Sequence, residues 1–378
     1  MDVVLIGNYP PSGQQSMLRF AACLESELRR RQIQVELIAP QPKATRYLPF
    51  RGAVRKWLGY VDQFIFFPRN LRRRQRALPQ NTIVHICDHS NAMYQRHLRN
   101  HKSLVTCHDL LAVRGAAGDQ EAYCEVSSTG KVLQRWIRNS LESAPNVVCD
   151  SQATAADFRR LLPKYDGGLS VLPLGLNSPY VPIAPEEAFR RIARFTLERS
   201  SPFVLMVGSN HVRKNREGAL RIIQKVGSRF SGSLVLAGQS LTPVQKALAR
   251  ALGIESRIIE LGPVTNSELE ALYSTAHALL FPSKAEGFGW PVLEAQACGC
   301  PVVCSDRTSI PEVAGDGAFV HDLADEAGFA DSIVRLLDPT VRADLRKRGF
   351  QNAATMTTER MVDDYVALYR DILGIAER

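Results

Sequence analysis

Short, uninterrupted runs of apolar and β-branched residues recur along this 378-residue chain and alternate with segments of helical periodicity. A run without polar interruptions predicts a strand buried on both faces, as in a parallel sheet covered by helices. Six runs lie in the first half: residues 3–7, 35–39, 82–86, 104–107, 147–149 and 169–172. Five lie in the second half: residues 203–208, 234–238, 258–262, 278–282 and 302–305. The two series predict an α/β protein with two Rossmann-like, doubly wound parallel-sheet domains.

A proline-rich stretch separates the two series of runs. Four prolines between residues 179 and 202 surround one short helical pattern, and proline interrupts both helices and sheet ladders. The expected parts are a domain over residues 1–180, a domain over 181–355 and a C-terminal helix over 356–378. Because ligands of such sheets bind outside the carboxyl ends of the strands, the residues that follow each run are the candidates for a site.

The positive charge of the chain lies in its first half. The formal net charge is +9, and residues 1–180 carry 24 Lys and Arg against 14 Asp and Glu, whereas 181–378 carry 23 against 24. This asymmetry predicts that the first half meets something anionic.

The chain shows no sign of export or of a membrane span. No stretch of about 18 apolar residues occurs, and the first residues form a strand-like run rather than a signal peptide. The eight cysteines are scattered, several of them inside apolar runs, and they form no paired zinc motif. These features predict a cytoplasmic protein.

The most informative segment follows the run at 278–282. It reads Glu-Gly-Phe-Gly over residues 286–289, and Glu294 lies in the helical pattern behind it. Glycines let a backbone approach a ligand closely, and the N-terminus of a helix suits a phosphate. Glu286 and Glu294 flank this position, where carboxylates are favourable if they accept hydrogen bonds from sugar or ribose hydroxyls. A plain strand–loop–helix with solvated glutamates is the alternative interpretation.

This segment resembles the signature of glycosyltransferase family 4, the retaining group 1 glycosyltransferases with the GT-B fold. The signature continues with Gly-x-Pro-Val, here residues 299–302, and Pro-Glu-x-x-Gly-Asp, here 311–316. The resemblance implies two Rossmann-like domains that face a central cleft. The first would bind the acceptor, the second would bind the nucleotide sugar, and the C-terminal helix would cross back to the first.

The resemblance also implies roles for individual residues of this segment. Glu286 would hold hydroxyls of the donor sugar at the catalytic centre, and Glu294 would hold the ribose. The backbone of Gly287, Phe288 and Gly289 would cradle sugar and phosphate.

A basic pair follows the run at 203–208. Arg213 and Lys214 precede Asn215 at the start of a helical pattern, and their charges suit a diphosphate. The element resembles the Arg-Lys-Asn element of the family, in which both cations clamp the diphosphate, although a solvated charged loop is the alternative. The base of the nucleotide is assigned to backbone near Val264.

The first half offers two further candidates. Gly13 lies in a Pro- and Gly-rich loop after the first run, where family members usually carry a Gly-Gly pair. His108 follows the run at 104–107 and matches a family histidine that contacts the donor sugar near the reaction centre, with Asp109 expected to orient it. The alternative is a structural histidine that caps the strand.

A metal site is not expected in either half. His85, Asp88 and His89 have a spacing that imitates metal ligands, but their setting indicates strand core and loop. We expect no cofactor, because the family works without a metal.

The implied reaction is transfer of a hexose, of mannose or glucose type, from a UDP- or GDP-linked donor to a glycan or lipid-linked acceptor, with retention of configuration. Such a reaction would belong to polysaccharide or glycolipid assembly. The alternatives are an epimerase, a phosphorylase-like enzyme, or a binding protein without catalysis.

Residues 43–76 form a basic, aromatic stretch with ten Lys and Arg and one acid, Asp62. Such a segment suits an anionic membrane surface and a peripheral position on its inner face. A helix with core aromatics and solvated arginines is the alternative. No nucleic-acid partner is expected, because no nucleic-acid-binding motif accompanies the charge.

Overall fold

The computed structural model describes residues 1–44, 53–98 and 100–375. The chain divides into two compact units. Unit 1 consists of Met1–Ala117, Val126–Asn177 and Thr358–Arg378. Unit 2 consists of Gly118–Glu125 and Ser178–Thr357.

Unit 1 is built on a parallel sheet, to which the described residues contribute six strands in the order β2-β1-β3-β4-β5-β6. The strands are β1 (Asp2–Ile6), β2 (Gln34–Ile38), β3 (Thr82–Ile86), β4 (Lys102–Cys107), β5 (Asn146–Cys149) and β6 (Gly168–Val171). The central strand β3 is buried along its whole length, whereas β2 at the edge alternates between exposed and half-buried residues. The chain reverses its direction across the sheet between β1 and β3, which makes the carboxyl ends of these strands a switch point.

Helices accompany this sheet. They are α1 (Gln15–Arg30), α2 (Ala53–Val61), α3 (Phe67–Arg74), α4 (Leu111–Ala116), α5 (Ser128–Glu142) and α6 (Gln152–Leu161). Of these, α1, α3, α4, α5 and α6 each bury apolar residues. The side chains of Ser127 and Ser151 accept backbone N–H bonds at the starts of α5 and α6, as N-cap residues do. One π-helical turn, Asp62–Phe66, joins α2 to α3.

Unit 2 has a second parallel sheet, whose six described strands run in the order β12-β11-β10-β7-β8-β9. They are β7 (Phe203–Gly208), β8 (Ser233–Gly238), β9 (Ile258–Gly262), β10 (Ala278–Phe281), β11 (Val302–Ser305) and β12 (Ala318–His321). Strands β7 to β9 extend the sheet in one direction and β10 to β12 in the other. The switch point of unit 2 therefore lies between β7 and β10.

The helices of unit 2 follow its strands in a regular alternation. They are α7 (Pro185–Arg191), α8 (Arg216–Val226), α9 (Pro243–Ala251), α10 (Asn266–Thr275), α11 (Trp290–Ala297), α12 (Ile310–Ala314), α13 (Glu326–Arg335) and α14 (Pro339–Ala353). Thr265 and Glu268 form a capping box at the start of α10, so the strand–helix connection there is fixed by side chains.

The last helix, α15 (Thr358–Leu373), belongs to unit 1. It buries Tyr365 and Tyr369, which are completely inaccessible to solvent. The Tyr365 hydroxyl lies 2.9 Å from Oγ1 of Thr106 on β4, and Arg31 donates to Asp363 at 2.8 Å. Because its buried hydroxyl has a hydrogen-bond partner, Tyr365 attaches α15 to the sheet by a specific polar contact as well as by apolar packing.

A short segment of the first half, Gly118–Glu125, belongs to unit 2. Its Tyr123 ring lies beneath the ammonium group of Lys284, with Nζ 4.9 Å from the ring centre. Nothing in the composition of this segment indicated that the chain enters unit 2 there.

The strand predictions are confirmed within one or two residues at each end for all eleven runs, and the α/β fold with two parallel sheets is confirmed. The sequence reading missed β12. This strand has four residues, lies at the edge of its sheet and is only partly buried, so its apolar signal is weak.

Among the described residues, no helix combines the length and the apolar character that crossing a bilayer requires.

Candidate active site

The basic pair of unit 2 lies at the switch point, directly after β7. A 3-10 turn, Val212–Lys214, follows the strand, and Asn215 adopts a left-handed conformation with φ of +54°. Asn tolerates this conformation better than most residues, and its side chain accepts a bond from the Gly218 N–H at the start of α8. The turn thereby presents Arg213 and Lys214 beyond the carboxyl end of the strand.

The loop after β10 is joined to this turn by hydrogen bonds and ion pairs. The Lys284 N–H donates to the carbonyl of Arg213 at 2.7 Å. The Lys214 ammonium donates to Oε1 of Glu286 at 2.6 Å, and Arg213 donates to Oε2 of the same carboxylate. Arg213 also donates to the Ala285 carbonyl at 3.2 Å. Residues that are separated by 72 positions in the chain therefore form one charged cluster.

Burial makes this cluster electrostatically strong. The side chains of Lys214 and Glu286 are 10% and 8% exposed, while that of Arg213 is 26% exposed. Burial raises the pKa of Glu286, but the attraction of Lys214 and Arg213 outweighs it, so the net pKa is lowered. Burial lowers the pKa of Lys214, and Glu286 opposes that shift. Two cations around one carboxylate leave an excess of positive charge, which suits a further anion.

The glycine loop connects Glu286 to α11. Gly289 has φ of +110° and stands immediately before the helix, a conformation that a residue with a Cβ rarely adopts. Pro291 lies in the first turn, where its missing N–H is not needed. Gly287 and Phe288 lie between the glutamate and this helix start, so the structure places the predicted loop residues on one continuous segment.

Glu294 lies on α11 and is 5% exposed. Its Oε2 accepts a hydrogen bond of 3.0 Å from the hydroxyl of Tyr273 on α10. Burial, together with the nearby Glu294 charge, raises the pKa of Tyr273 well above its ordinary value, so the hydroxyl stays a donor. The Glu294 charge also acts on the Lys214 ammonium, which relates this carboxylate to the charged cluster.

Val264 lies on a separate loop of the same sheet edge, between β9 and α10. The guanidinium of Arg194 donates to the Pro263 carbonyl at 3.1 Å and to Glu268. The backbone before and after Val264 is therefore held in place by side chains. The strand order puts this loop two strands away from β7, with β8 between them.

The switch point of unit 1 carries a buried polar network. Asn8, directly after β1, donates to Gln14 at 2.5 Å and to Asp88, directly after β3. Its side-chain oxygen accepts from Asn91 at 3.0 Å. Gly13 lies exposed in the loop that connects β1 to α1, close in sequence to this network.

His108 follows β4 and is 4% exposed. Its Nδ1 lies 2.6 Å from Oδ2 of Asp150, and its Nε2 lies 2.8 Å from the Cys87 carbonyl. Burial lowers the pKa of His108, but the attraction of Asp150 outweighs it and raises the pKa to about 9. Burial raises the pKa of Asp150, whose other oxygen, Oδ1, has no hydrogen-bond partner within the described part of the chain.

The expectation that Asp109 orients His108 is wrong. The Asp109 carboxylate accepts from the Leu111 N–H at 3.0 Å, at the first residue of α4. Asp150 occupies the orienting position because β5 is the neighbour of β4 and both strands end at the same edge. The sequence carries a signal for this residue, since Asp150 follows an apolar run just as His108 does.

His85 is a structural residue. Its Nδ1 lies 2.7 Å from the Tyr369 hydroxyl and its Nε2 lies 2.7 Å from Oγ1 of Thr106. Burial lowers its pKa to about 3, so the ring is neutral. Both nitrogens are engaged away from Asp88. Within residues 1–44, 53–98 and 100–375, no group of three or more His, Cys, Asp or Glu is arranged to hold a metal ion.

Sequence reasoning also missed Tyr273, Thr308 and Ser309. The Thr308 hydroxyl accepts from the Glu286 N–H at 2.9 Å, and the Ser309 hydroxyl donates to the Glu286 and Phe288 carbonyls at 3.0 and 2.8 Å. These contacts depend on strand order and on loop conformation, which no local pattern reveals.

Two family models match successive parts of the chain. The model described as "Glycosyltransferase Family 4" matches residues 18–178, and the model described as "Glycosyl transferases group 1" matches residues 201–339. Among curated proteins, the chain is similar to the O-antigen chain mannosyltransferase B of Escherichia coli, with 30% identity over 172 residues. That match covers 44% of this chain and 45% of the relative. The chain thus spans about half the length of the curated relatives it matches.

Solved structures share the fold along the whole chain. The sucrose-phosphate synthase of Thermosynechococcus elongatus has a TM-score of 0.77 at 20% identity and covers 100% of both chains. HepE of Anabaena, in complex with UDP and glucose, has a TM-score of 0.71 at 15% identity and covers 98% of this chain and 99% of its own. With both family models, these likenesses show that the chain belongs to the group 1 glycosyltransferases with the GT-B fold.

Proposed function

We propose that this protein transfers a hexose, of mannose or glucose type, from a nucleoside-diphosphate sugar to a glycan or lipid-linked acceptor in polysaccharide or glycolipid assembly. The observation that carries the proposal is the buried cluster of Arg213, Lys214 and Glu286 at the switch point of unit 2. It combines cations for a diphosphate with a carboxylate for sugar hydroxyls. A mannosyltransferase relative and a fold neighbour crystallised with UDP and glucose support the same class of donor.

The donor would be held by groups that the structure already fixes. Arg213 and Lys214 bind the diphosphate, helped by the N–H groups at the start of α11. Glu286 accepts from hydroxyls of the sugar, and Glu294 accepts from the ribose while Tyr273 holds its other oxygen. The remaining contacts are backbone contacts, for which we propose Asn215, Val264, Gly287, Phe288 and Gly289.

Departure of the nucleoside diphosphate develops negative charge on a phosphate oxygen. Arg213 and Lys214 are already positioned to stabilise this charge, so we propose that turnover requires neither a metal ion nor a cofactor. Glu286 pairs with two cations, which makes it a poor nucleophile and a suitable ligand for hydroxyls. We therefore propose retention by transfer on the face that the leaving phosphate occupies, with that phosphate accepting the acceptor proton.

If His108 acts at the reacting sugar, one of its ring nitrogens must bind a substrate hydroxyl. Both nitrogens have partners inside unit 1, so Nε2 would have to exchange the Cys87 carbonyl for that hydroxyl. Gly13, in the loop after β1, remains the proposed backbone contact on this side. Because Asp150 would lose its buried partner, His108→Ala should lower Tm. A loss of donor turnover far larger than the loss of folded protein at the assay temperature would support this role, whereas turnover that falls only in proportion to the folded fraction would assign the histidine to structure alone.

The function is tested by a thermal-shift screen with UDP, GDP and ADP and their hexose conjugates, without added metal. We expect one nucleoside diphosphate to raise Tm and its sugar to be consumed when an acceptor glycan is added. Consumption without any acceptor product, or formation of an epimerised nucleotide sugar, would contradict transfer and favour another chemistry at the same site.

We also propose peripheral contact between unit 1 and an anionic membrane through residues 43–76. Of this stretch, 45–52 lie outside the described residues. Within α2 and the π-helical turn, Trp57 and Phe66 are 61% and 42% exposed, and Arg69 and Arg73 are exposed on α3. Other aromatics pack inward, as Phe67 does against Tyr94, so the stretch combines core packing with an exposed basic and aromatic surface.

Sedimentation with vesicles tests this contact. Vesicles that contain anionic phospholipid should retain the protein at low salt, and Trp57→Ser should lower the bound fraction by about threefold or more, because one interfacial aromatic is lost. The matched control is Val132→Ser, which removes an apolar side chain that is 69% exposed on α5. Equal binding to neutral vesicles, or equal losses in both variants, would contradict the proposal.

A further inference from the structure

Thr308 adopts a backbone conformation that its residue type disfavours. It has φ of +52°, in the left-handed region, and it is β-branched, so its side chain crowds the backbone there. The residue is exposed, so burial of its methyl group does not explain why a threonine occurs at this position. Strain of this kind persists where the surrounding structure uses the residue for something else.

The hydroxyl of Thr308 makes two hydrogen bonds to neighbouring backbone groups. It accepts from the Glu286 N–H at 2.9 Å and donates to the Arg307 carbonyl at 2.8 Å. Glycine would relieve the backbone but would leave the Glu286 N–H without this acceptor. A serine in the same place would keep it.

The next residue, Ser309, also binds the backbone of Glu286. Ser309 is buried, and its hydroxyl donates to the carbonyls of Glu286 and Phe288 at 3.0 and 2.8 Å. Glu286 is thereby fixed at its N–H and its carbonyl, while Lys214 and Arg213 fix its carboxylate. The backbone N–H, the backbone carbonyl and both carboxylate oxygens of Glu286 therefore have partners before a ligand binds.

We propose that Thr308 and Ser309 are positioning residues that hold Glu286 in its sugar-binding place before the donor arrives, with the strain at Thr308 as the cost of that arrangement. The assignment of Glu286 to sugar binding rests on the proposed function. Preorganised groups contribute most to the rate, because little rearrangement is required at the moment of reaction. Thr308 acts through Glu286 and is not assigned a contact with the substrate.

The decisive variant is Thr308→Gly, compared with Thr196→Gly. Thr196 is the matched control, because it is a threonine of unit 2 with the same φ of +52° and an exposed side chain. Both changes relieve a left-handed threonine. In Thr308→Gly this gain should offset the lost hydrogen bond, so Tm should not fall, while Thr196→Gly should raise Tm by about 2 °C. Only Thr308→Gly should release the Glu286 peptide.

Amide hydrogen exchange of the ligand-free protein gives the first measurement. Thr308→Gly should speed exchange in residues 284–289 by about 10-fold, and Thr308→Ser should restore the slow rate. Thr196→Gly should leave that segment as it is. Unchanged exchange in Thr308→Gly overturns the inference, whatever the activity of the protein.

Kinetics gives the second measurement. Thr308→Gly should lower kcat for the nucleotide sugar by about 10-fold and leave the Kd of the nucleoside diphosphate within twofold, with most of the rate recovered in Thr308→Ser. A parallel fall in Tm, kcat and nucleotide affinity would indicate a merely structural residue and overturn the inference. Absence of any turnover in the unaltered protein would instead contradict the proposed function, and the exchange measurement would still decide the role of Thr308.

Discussion

Replacement of Glu286 by Gln is expected to lower kcat/KM for the nucleotide-sugar donor by about 100- to 1,000-fold, which corresponds to roughly 3 kcal/mol. The amide is nearly isosteric, but it carries no charge and cannot accept from two cations and from sugar hydroxyls at once. The carboxylate is 8% exposed, so water cannot replace it freely. Initial rates with the donor identified by thermal shift provide the measurement.

The same variant should show whether Glu286 contributes to binding of the sugar or to binding of the diphosphate. With Gln at position 286, Arg213 and Lys214 lose the Glu286 carboxylate as a partner, and a bound diphosphate would compensate more of their charge. The affinity for the nucleoside diphosphate should therefore stay the same or rise while turnover is lost. An equal loss of nucleotide affinity would contradict the assignment of Glu286 to the sugar.

Glu255→Gln is the matched control for this prediction. Glu255 also belongs to unit 2 and pairs with Arg250 at 3.6 Å, but both side chains are more than half exposed. Surface pairs of this kind contribute little, so turnover and Tm should remain unchanged. A similar loss in the control would show that the effect of Glu286→Gln does not arise at the site.

Asp150→Asn is expected to destabilise the protein by about 3 kcal/mol near neutral pH. The carboxylate is completely buried and lies 2.6 Å from a His108 ring whose pKa is raised to about 9. Removal of one partner of a buried pair usually costs about 3–5 kcal/mol, and the imidazole can limit the loss by releasing its proton. Denaturant unfolding at pH 7, followed by probes in both units, measures the effect.

The pH dependence of this variant gives a second, independent signature. Because the folded pKa of His108 lies above its ordinary value of 6.5, its stabilisation is complete below pH 6.5 and is lost as pH rises through 9. The difference in unfolding free energy between the two proteins should therefore shrink from pH 6.5 to above 9. A difference that stays constant over this interval would contradict a charged His108–Asp150 pair.

Asp109→Asn is the control for this second prediction. It removes the same charge from the residue next to His108 and leaves an oxygen that can still accept from the Leu111 N–H. Stability should change by less than about 0.5 kcal/mol. A larger loss here than in Asp150→Asn would restore the expectation, drawn from the sequence, that Asp109 is the partner of His108.

The sequence was largely sufficient for the fold because the inner strands of both sheets are parallel and mostly buried. Continuous apolar runs mark such strands clearly, and eleven of them were recognised. The exception, β12, is a short edge strand with little burial, so the same signal was absent. Length and composition could not reveal that Gly118–Glu125 belongs to unit 2, because that depends on contacts rather than on pattern.

The candidate site was predictable where its residues follow strands and carry a family motif. Arg213, Lys214 and Glu286 were singled out on these grounds, and the strand order shows why they meet: β7 and β10 are neighbours. Partners across strands were harder to predict. Asp109 was expected to orient His108 because it is adjacent in sequence, whereas proximity at a sheet edge follows the order of strands and brings Asp150 to that position.

The most direct test of the account is calorimetric titration of the full chain with the nucleoside diphosphate that gives the largest thermal shift, without metal, alongside Glu294→Ala and Arg213→Ala. We predict saturable binding to one site in the unaltered protein and a loss of affinity of at least about 10-fold in each variant, since Glu294 would hold the ribose and Arg213 the diphosphate. Binding that is unaffected by both substitutions would place the nucleotide elsewhere. No binding of any nucleoside diphosphate would contradict a nucleotide-sugar donor at this site.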